Sequence, residues 1–146
     1  ITENAFYRAF FLYVKRRRYM KKILLYGIDQ QRIRTISGIA SGMSDELHVV
    51  KNQELSEKVI DILEKEAHPH FTEEPVRNLE LCMFAGFDRE GIFTFIEELR
   101  KTGIRRPVFA TVTANNLEWN FEKVLVDVNQ EHIEMQKMNS SETKND

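Results

Sequence analysis

The chain is short of cysteine, and that excludes a first class of protein. A single cysteine, Cys82, among 146 residues leaves no internal disulfide, which fits a reducing, cytoplasmic setting. No apolar run approaches the roughly 20 residues that a membrane-spanning helix needs. Clustered positive charge is missing from most of the chain. The net charge is −2, but the first 19 residues carry +4, so the remainder carries −6. An acidic body is a poor partner for phosphate backbones, which are bound by clustered Lys and Arg, and nucleic-acid binding is not expected. What is present is a composition 42% hydrophobic and 30% charged, enough to bury a real core in one domain.

The first 19 residues read ITENAFYRAFFLYVKRRRY and precede MKKILLYGI. The second string has the form of a bacterial protein start, with Met20, two lysines and a strand. The first string is aromatic and ends in Lys15, Arg16, Arg17 and Arg18. Three readings stand open: a basic amphipathic anchor on a membrane surface, a helix packed on the domain, or a leader translated in frame. The leader is preferred, because consecutive arginines can be encoded AGG-AGG, a ribosome-binding sequence at about this distance from Met20. The stretch is therefore kept out of the fold reading, and membrane attachment is expected only if it is genuine.

Two segments align without a gap at an offset of 59 residues. One is Leu25, Tyr26, Gly27, Ile28 and Asp29, then Ile33. The other is Phe84, Ala85, Gly86, Phe87 and Asp88, then Ile92. Each reads as a buried strand, a glycine where the strand ends, and an aspartate capping a helix. Ile28 with Ile33, and Phe87 with Ile92, fall at hydrophobic-staple positions. Ile33, Ile36, Ala40 and Met43 form one helical stripe, and Ile92, Phe95, Ile96 and Leu99 another. Gly42 and Gly103 are placed to end these helices in left-handed caps. The same offset pairs second strands at His48, Val49 and Val50 and at Pro107, Val108 and Phe109. Helices are predicted after them, over about 54–65 and 117–138, with Leu55, Val59, Ile62 and Leu63 inward in the first. In the last, Phe121, Leu125, Val128 and His132 or Ile133 point inward.

The predicted fold is therefore α/β, a duplicated β-α-β-α unit forming a mostly parallel four-stranded sheet flanked by helices. The expected single domain spans 20–138, with repeats at 20–66 and 79–138, a linker at 67–78 that holds two prolines, and a disordered polar tail at 139–146. Parallel sheets bind ligands beyond the carboxyl ends of their strands. That edge would be built from residues 27–29, 51–53, 86–88 and 111–116.

The richest segment is 111–119. Thr111, Thr113, Asn115 and Asn116 supply polar groups, and Trp119 supplies a flat apolar wall, so these residues and His132 are the candidate ligand-binding set. A structural reading competes and is favoured. Asn115 and Glu118 have capping-box spacing, which would start the last helix at Asn115 and send Trp119 into the core. Asp29 and Asp88 are read as caps, because the turns lack G-x-G-x-x-G and the P-loop Lys and an aspartate there would repel an anion. His68 and His70 could share a metal only with help from Glu73, Glu74 or Cys82, and a solvated linker is the expected reading. Cys82 lies in a central strand as a small hydrophobe. His48 and His132 are each read as standing alone, with no acid–base or nucleophile set assembled around them, and the glutamates of the second helix read as a solvated face. No metal or cofactor is expected.

From Met20 to about Met135 the chain resembles a family of short bacterial proteins known as a domain of unknown function. The resemblance rests on the opening KKILLYGID and on residues 110–132, with Thr113-x-x-Asn116-x-x-Trp119 and Glu131-His132. Two positions depart from it, Phe109 where a lysine is expected and Ala114 where a proline is common. The first argues against anion binding at that strand end. The resemblance implies no activity, and it supports Met20 as the natural start.

The preferred expectation is a cytoplasmic binding or regulatory module without catalysis, meeting a small molecule or a partner protein near Thr113, Asn116 and Trp119, with a homodimer in keeping with a duplicated unit. The alternative is a hydrolase or transferase using His132, or Asp29 and Asp88, beside the same cluster.

Overall fold

The computed structural model describes residues 21–43 and 45–145, with side chains as far as residue 140. The anchor, helix and leader readings of 1–19 lie outside the described residues. The elements run β1 (Lys22–Tyr26), α1 (Gln30–Gly42), β2 (Glu46–Val49), a 3-10 helix (Asn52–Ser56), α2 (Val59–Glu64), β3 (Leu81–Ala85), α3 (Arg89–Lys101), β4 (Phe109–Thr111) and α4 (Phe121–Asn145). Strand order across the sheet is β2-β1-β3-β4.

Strand alternation builds two cores, one on each face. Ile23 and Leu25 of β1 and Cys82 and Phe84 of β3 face α1 and α3, where they meet Ile33, Ile36, Phe95 and Leu99. Leu24, Tyr26, Leu81 and Met83 face the other way, against Val59, Ile62, Phe121 and Leu125 of α2 and α4. β1 and β3 are buried along their whole length, as strands covered on both faces must be. Ile28 and Ile33 join the first core together, with Phe87 and Ile92 packed at its margin.

The sheet is mixed, which corrects the mostly parallel arrangement. β1 pairs parallel with β2, and β3 parallel with β4. The central pair is antiparallel, with Lys22 opposite Ala85 and Tyr26 opposite Leu81. The linker is the reason. α2 returns the chain to the amino end of β1, where the Lys22 ammonium donates to the carbonyls of Leu63 and Lys65. The chain then travels back along β2, whose Val49 N–H donates to His68 O at 2.8 Å. It reaches the far end of β1, where Arg77 N–H donates to the Tyr26 hydroxyl at 3.2 Å. Leu79 then passes directly over Gly27, so β3 enters from the carboxyl end of β1 and must run against it. An extra pass along the sheet has reversed the second half.

Other boundaries also move. The second predicted helix is divided into the 3-10 helix and α2, because Glu57 and Lys58 are extended. The last helix starts at Phe121, and the tail expected to lack structure continues it to Asn145. Asn129, rather than His132 or Ile133, carries its inward polar contact, donating to Glu80 O at 3.0 Å and Leu125 O at 2.7 Å. His132 and Ile133 are both exposed. Gly103 follows α3 with φ +77°, and its N–H donates to Arg100 O at 3.2 Å. Gly42 is the last residue of α1 and is not left-handed. Met43 closes that helix with bonds to Ile39 O and Ala40 O, so no left-handed residue is required. The left-handed glycines are 27, 86 and 103.

Gly27 has φ +73°, and the Leu79 carbonyl occupies the space a Cβ would need. Gly27→Ala is expected to destabilise by about 3 kcal/mol, strain and backbone clash together. Gly42→Ala, with open space and ordinary backbone, is expected to stabilise by up to about 0.5 kcal/mol. Urea unfolding of both variants checks the pair.

Candidate functional site

Because β1 and β3 run oppositely, the expected carboxyl edge does not exist as one surface. Residues 27–29 and 51–53 lie at one end of the sheet, and residues 86–88 and 111–116 at the other. The two capping aspartates are separated with them.

At the first end Asp29 accepts from Arg32 N–H at 3.2 Å and from the Arg32 side chain. Arg32 is buried and spans the rest of the site. Its two terminal nitrogens meet the two Glu80 oxygens at 3.1 and 2.7 Å, and it also donates to Arg105 O at 3.3 Å. The side-chain bond from Arg32 holds the Asp29 carboxyl below its ordinary value, against a smaller opposing effect of burial. The bond to Glu80 raises Arg32 further still. Beside this cluster is a cleft of about 260 Å³ between Gly27, Asp29, Phe71 and Glu74. Its one buried cation, Arg32, is already matched on both sides by carboxylates, as buried guanidinium groups require.

A second buried pair was not legible in the sequence. The His48 Nε2 lies 3.1 and 3.2 Å from the two oxygens of Glu54. Glu54 is 2% exposed, which corrects both the solvated-face reading of that glutamate and the isolation of His48. His68 N–H donates to His48 Nδ1 at 3.1 Å, so Nδ1 is unprotonated and the ring proton sits on Nε2, donated to the carboxylate. Burial pushes the Glu54 carboxyl up. Bonds from His48, from Lys51 N–H and from Lys65 outweigh it and bring the carboxyl down to about 2. The pair ties β2, the 3-10 helix and the linker together. Spacing could have suggested it only if the register of β2 against the 3-10 helix were known.

At the other end, the candidate cluster proves to be a brace. Thr113 N–H donates to Asn116 Oδ1 at 2.9 Å, and Asn116 N–H returns a bond to Thr113 Oγ1 at 3.2 Å. Asn116 Nδ2 donates to Thr111 O at 3.1 Å, and the Thr111 hydroxyl to Phe84 O at 3.3 Å. The reciprocal pair is therefore Thr113 with Asn116. The Asn115–Glu118 box is corrected, because residues 114–118 form turns and α4 begins later. Asn115 is exposed, and Glu118 pairs with Lys58 at 3.1 Å. The carbonyls of Trp119 and Leu117 accept from Val59 and Ile60 N–H, satisfying the free donors at the start of α2. Trp119 packs at the edge of the core under the Lys123 ammonium, 4.3 Å from its ring centroid. His132 stands on the exposed face of α4, apart from this brace.

Cys82 is fully buried, and burial pushes its thiol up, away from a nucleophile's range. The His68 and His70 rings contact edge to face at 5.7 Å. Among the described residues no group of three or more His, Cys, Asp or Glu is arranged to hold a metal ion, and no helix is long and apolar enough to cross a membrane.

A further feature is the outer side of β4. Cys82 N–H donates to Val108 O and Val112 N–H to Phe84 O, both at 2.8 Å. Residues 108, 110 and 112 thus point their backbone groups at β3, while Phe109 and Thr111 point theirs outward. On the α3 side of this edge lies an apolar cleft of about 170 Å³, lined by Ile96, Leu99, Ile104 and Phe109 together with Glu97, Arg100 and Arg106. Arg100 is paired with Glu97 at 2.9 Å. Arg106 stacks on the Phe109 ring at 5.0 Å and makes no ion pair among the described residues.

A family model described as a domain of unknown function (DUF3783) matches residues 80–135, the stretch holding β3, α3, the cleft, β4 and the turn brace. No curated protein and no solved structure matches the chain.

Two outcomes are expected. Asn116→Ala removes the bonds that shape the turn and should cost about 1–2 kcal/mol, read as a lower melting temperature. For Glu54, a folded value below the ordinary 4.5 means its stabilisation is complete above about 4.5 and is lost as pH falls toward about 2. Glu54→Gln should cost about 2 kcal/mol at neutral pH and should flatten the fall in stability across that acid window, as urea titrations at stepped pH would reveal.

Proposed function

We propose that this domain is a cytoplasmic binding module that acts without chemistry of its own, and that its recognition surface is the α3–β4 side of the sheet. The observation that carries the reading is an asymmetry between the two sheet edges. The edge strand β2 is covered by the chain's own linker, through the bond from Val49 N–H to His68 O. Nothing among the described residues covers β4, and an apolar cleft lies along it. β4 is short and preceded by Arg105, Arg106 and Pro107, which limit sheet growth at its start, so the outward backbone of Phe109 and Thr111 beside an apolar floor suits one short partner segment.

The hydrolase or transferase alternative has less support. Asp88 spends its carboxylate on Gly91 N–H at 2.7 Å, Asp29 is engaged by Arg32, and these two lie at opposite ends of the sheet. His132 is on neither end's turn. The peripheral-membrane alternative rests on residues 1–19 alone. The matched Gly-x-Asp turns, each closing a strand and capping a helix, favour descent of the two halves from one duplicated unit.

Isopropanol, a small probe of apolar recognition surfaces, tests the placement. Titrated into the full chain and followed by amide and methyl NMR, it is expected to shift signals of Ile96, Leu99, Ile104 and Phe109 first. Shifts gathered instead at Gly27, Asp29 and Phe71 would move the recognition surface to the other end of the sheet.

A further inference from the structure

We infer that β4 receives an extended acidic peptide segment of a partner protein as an added strand, with a branched apolar side chain of that segment seated in the α3–β4 cleft. This rests on the proposed recognition surface and names what it recognises.

Three independent features point to that occupant. First, the outward N–H and C=O of Phe109 and the outward N–H of Thr111 are spaced to pair with another strand. Thr111 O is taken by Asn116 Nδ2, so the open stretch is short and begins at the cleft. Backbone groups of this kind select an extended chain and are indifferent to its side chains. Second, the cleft is on the face toward which Phe109 points, the face of α3. Alternate side chains of an added strand would therefore drop onto Ile96, Leu99 and Ile104. A volume of about 170 Å³ suits one branched side chain rather than a cofactor, which needs several hundred Å³.

Third, the charge at this edge favours one sign of partner: Glu97 and Arg100 in the cleft lining neutralise each other, which leaves Arg106 to set the sign. Arg105 and Arg106 lead directly into the strand. Arg105 is shared with Glu80 at 3.4 Å, while among the described residues Arg106 meets the Phe109 ring and no carboxylate. Position 109 itself offers an anion no charge, but an acidic residue next to the seated apolar one would find the Arg106 cation already positioned by stacking on that ring. A second copy of the chain would instead bring its own Arg105 and Arg106 to the junction, so the charge disfavours a β4–β4 dimer.

The test uses the full chain and a short synthetic peptide alternating valine or isoleucine with aspartate or glutamate. Amide NMR should show shifts centred on Phe109 and Thr111, with both amides slowed in hydrogen exchange. The same peptide N-methylated at alternate residues should lose binding, because only the backbone of an added strand depends on those N–H groups. A version with lysine in place of the acids should bind at least about fivefold more weakly. Arg106→Glu should weaken the acidic peptide by about fivefold, the loss of roughly 1 kcal/mol expected for a charge contact at a rim. Arg34→Glu, on the exposed face of α1, should leave it unchanged.

Binding that survives N-methylation would overturn strand addition while leaving the recognition surface standing. Equal binding of the lysine version would overturn the acidic partner. No binding at millimolar peptide would overturn the inference, and the isopropanol map would then decide separately whether the surface itself stands. Phe109 and Thr111 amides already protected before peptide is added would mean the edge is covered by a second copy, if protection falls on dilution, or by this chain, if it does not. Either result overturns the inference.

Discussion

The passage of Leu79 over Gly27 is the constraint on which the rest of the molecule depends. A residue with a Cβ at position 27 would collide with the Leu79 carbonyl, and the left-handed backbone there would strain any other side chain. The close approach brings the chain into β3 at the carboxyl end of β1. From that one entry point follow the antiparallel central pair, the mixed sheet, and the separation of the two Gly-x-Asp turns to opposite ends. It also decides which strand becomes the second edge.

The linker that makes this entry is held by polar contacts more than by apolar ones. His48 and Glu54 form a buried pair whose remaining partners are His68 N–H, Lys51 N–H and Lys65. Arg32 reaches from α1 to Glu80, just ahead of β3. Both clusters join segments far apart in the chain, and in both every buried charge meets an opposite charge or a hydrogen bond. Such pairs add little net stability compared with apolar packing, yet removing one partner is costly. They join the linker and the start of β3 to β2 and α1, the elements the chain passes on its way to β3.

One consequence is that the most polar segment of the chain has a structural part to play. The segment from Thr111 to Trp119 has hydroxyls, amides and the chain's one tryptophan, and these groups are consumed in shaping a turn and in capping α2. The surface left uncovered among the described residues is plainer, with two backbone positions on a short strand, four apolar side chains and a stacked arginine. An edge strand, by contrast, offers hydrogen-bonding groups through the backbone that every residue shares, and no residue type marks them in a sequence.

What the sequence determined by itself was local. Apolar runs ending at Gly27 and Gly86 marked β1 and β3, and their neighbours Asp29 and Asp88 each accept the N–H bond that starts a helix. The inward stripes Leu55–Val59–Ile62–Leu63 and Phe95–Leu99 are buried as their spacing requires. These features depend on residues a few positions apart, where helix and strand periods govern the geometry. The direction of β3 could not be read in the same way, because a strand's pattern is the same in either direction. Nor could the His48–Glu54 pair, the Arg32–Glu80 pair or the place of β4 at the sheet edge. Each arises where segments distant in sequence are brought side by side, and only the path of the linker decided which ones those would be.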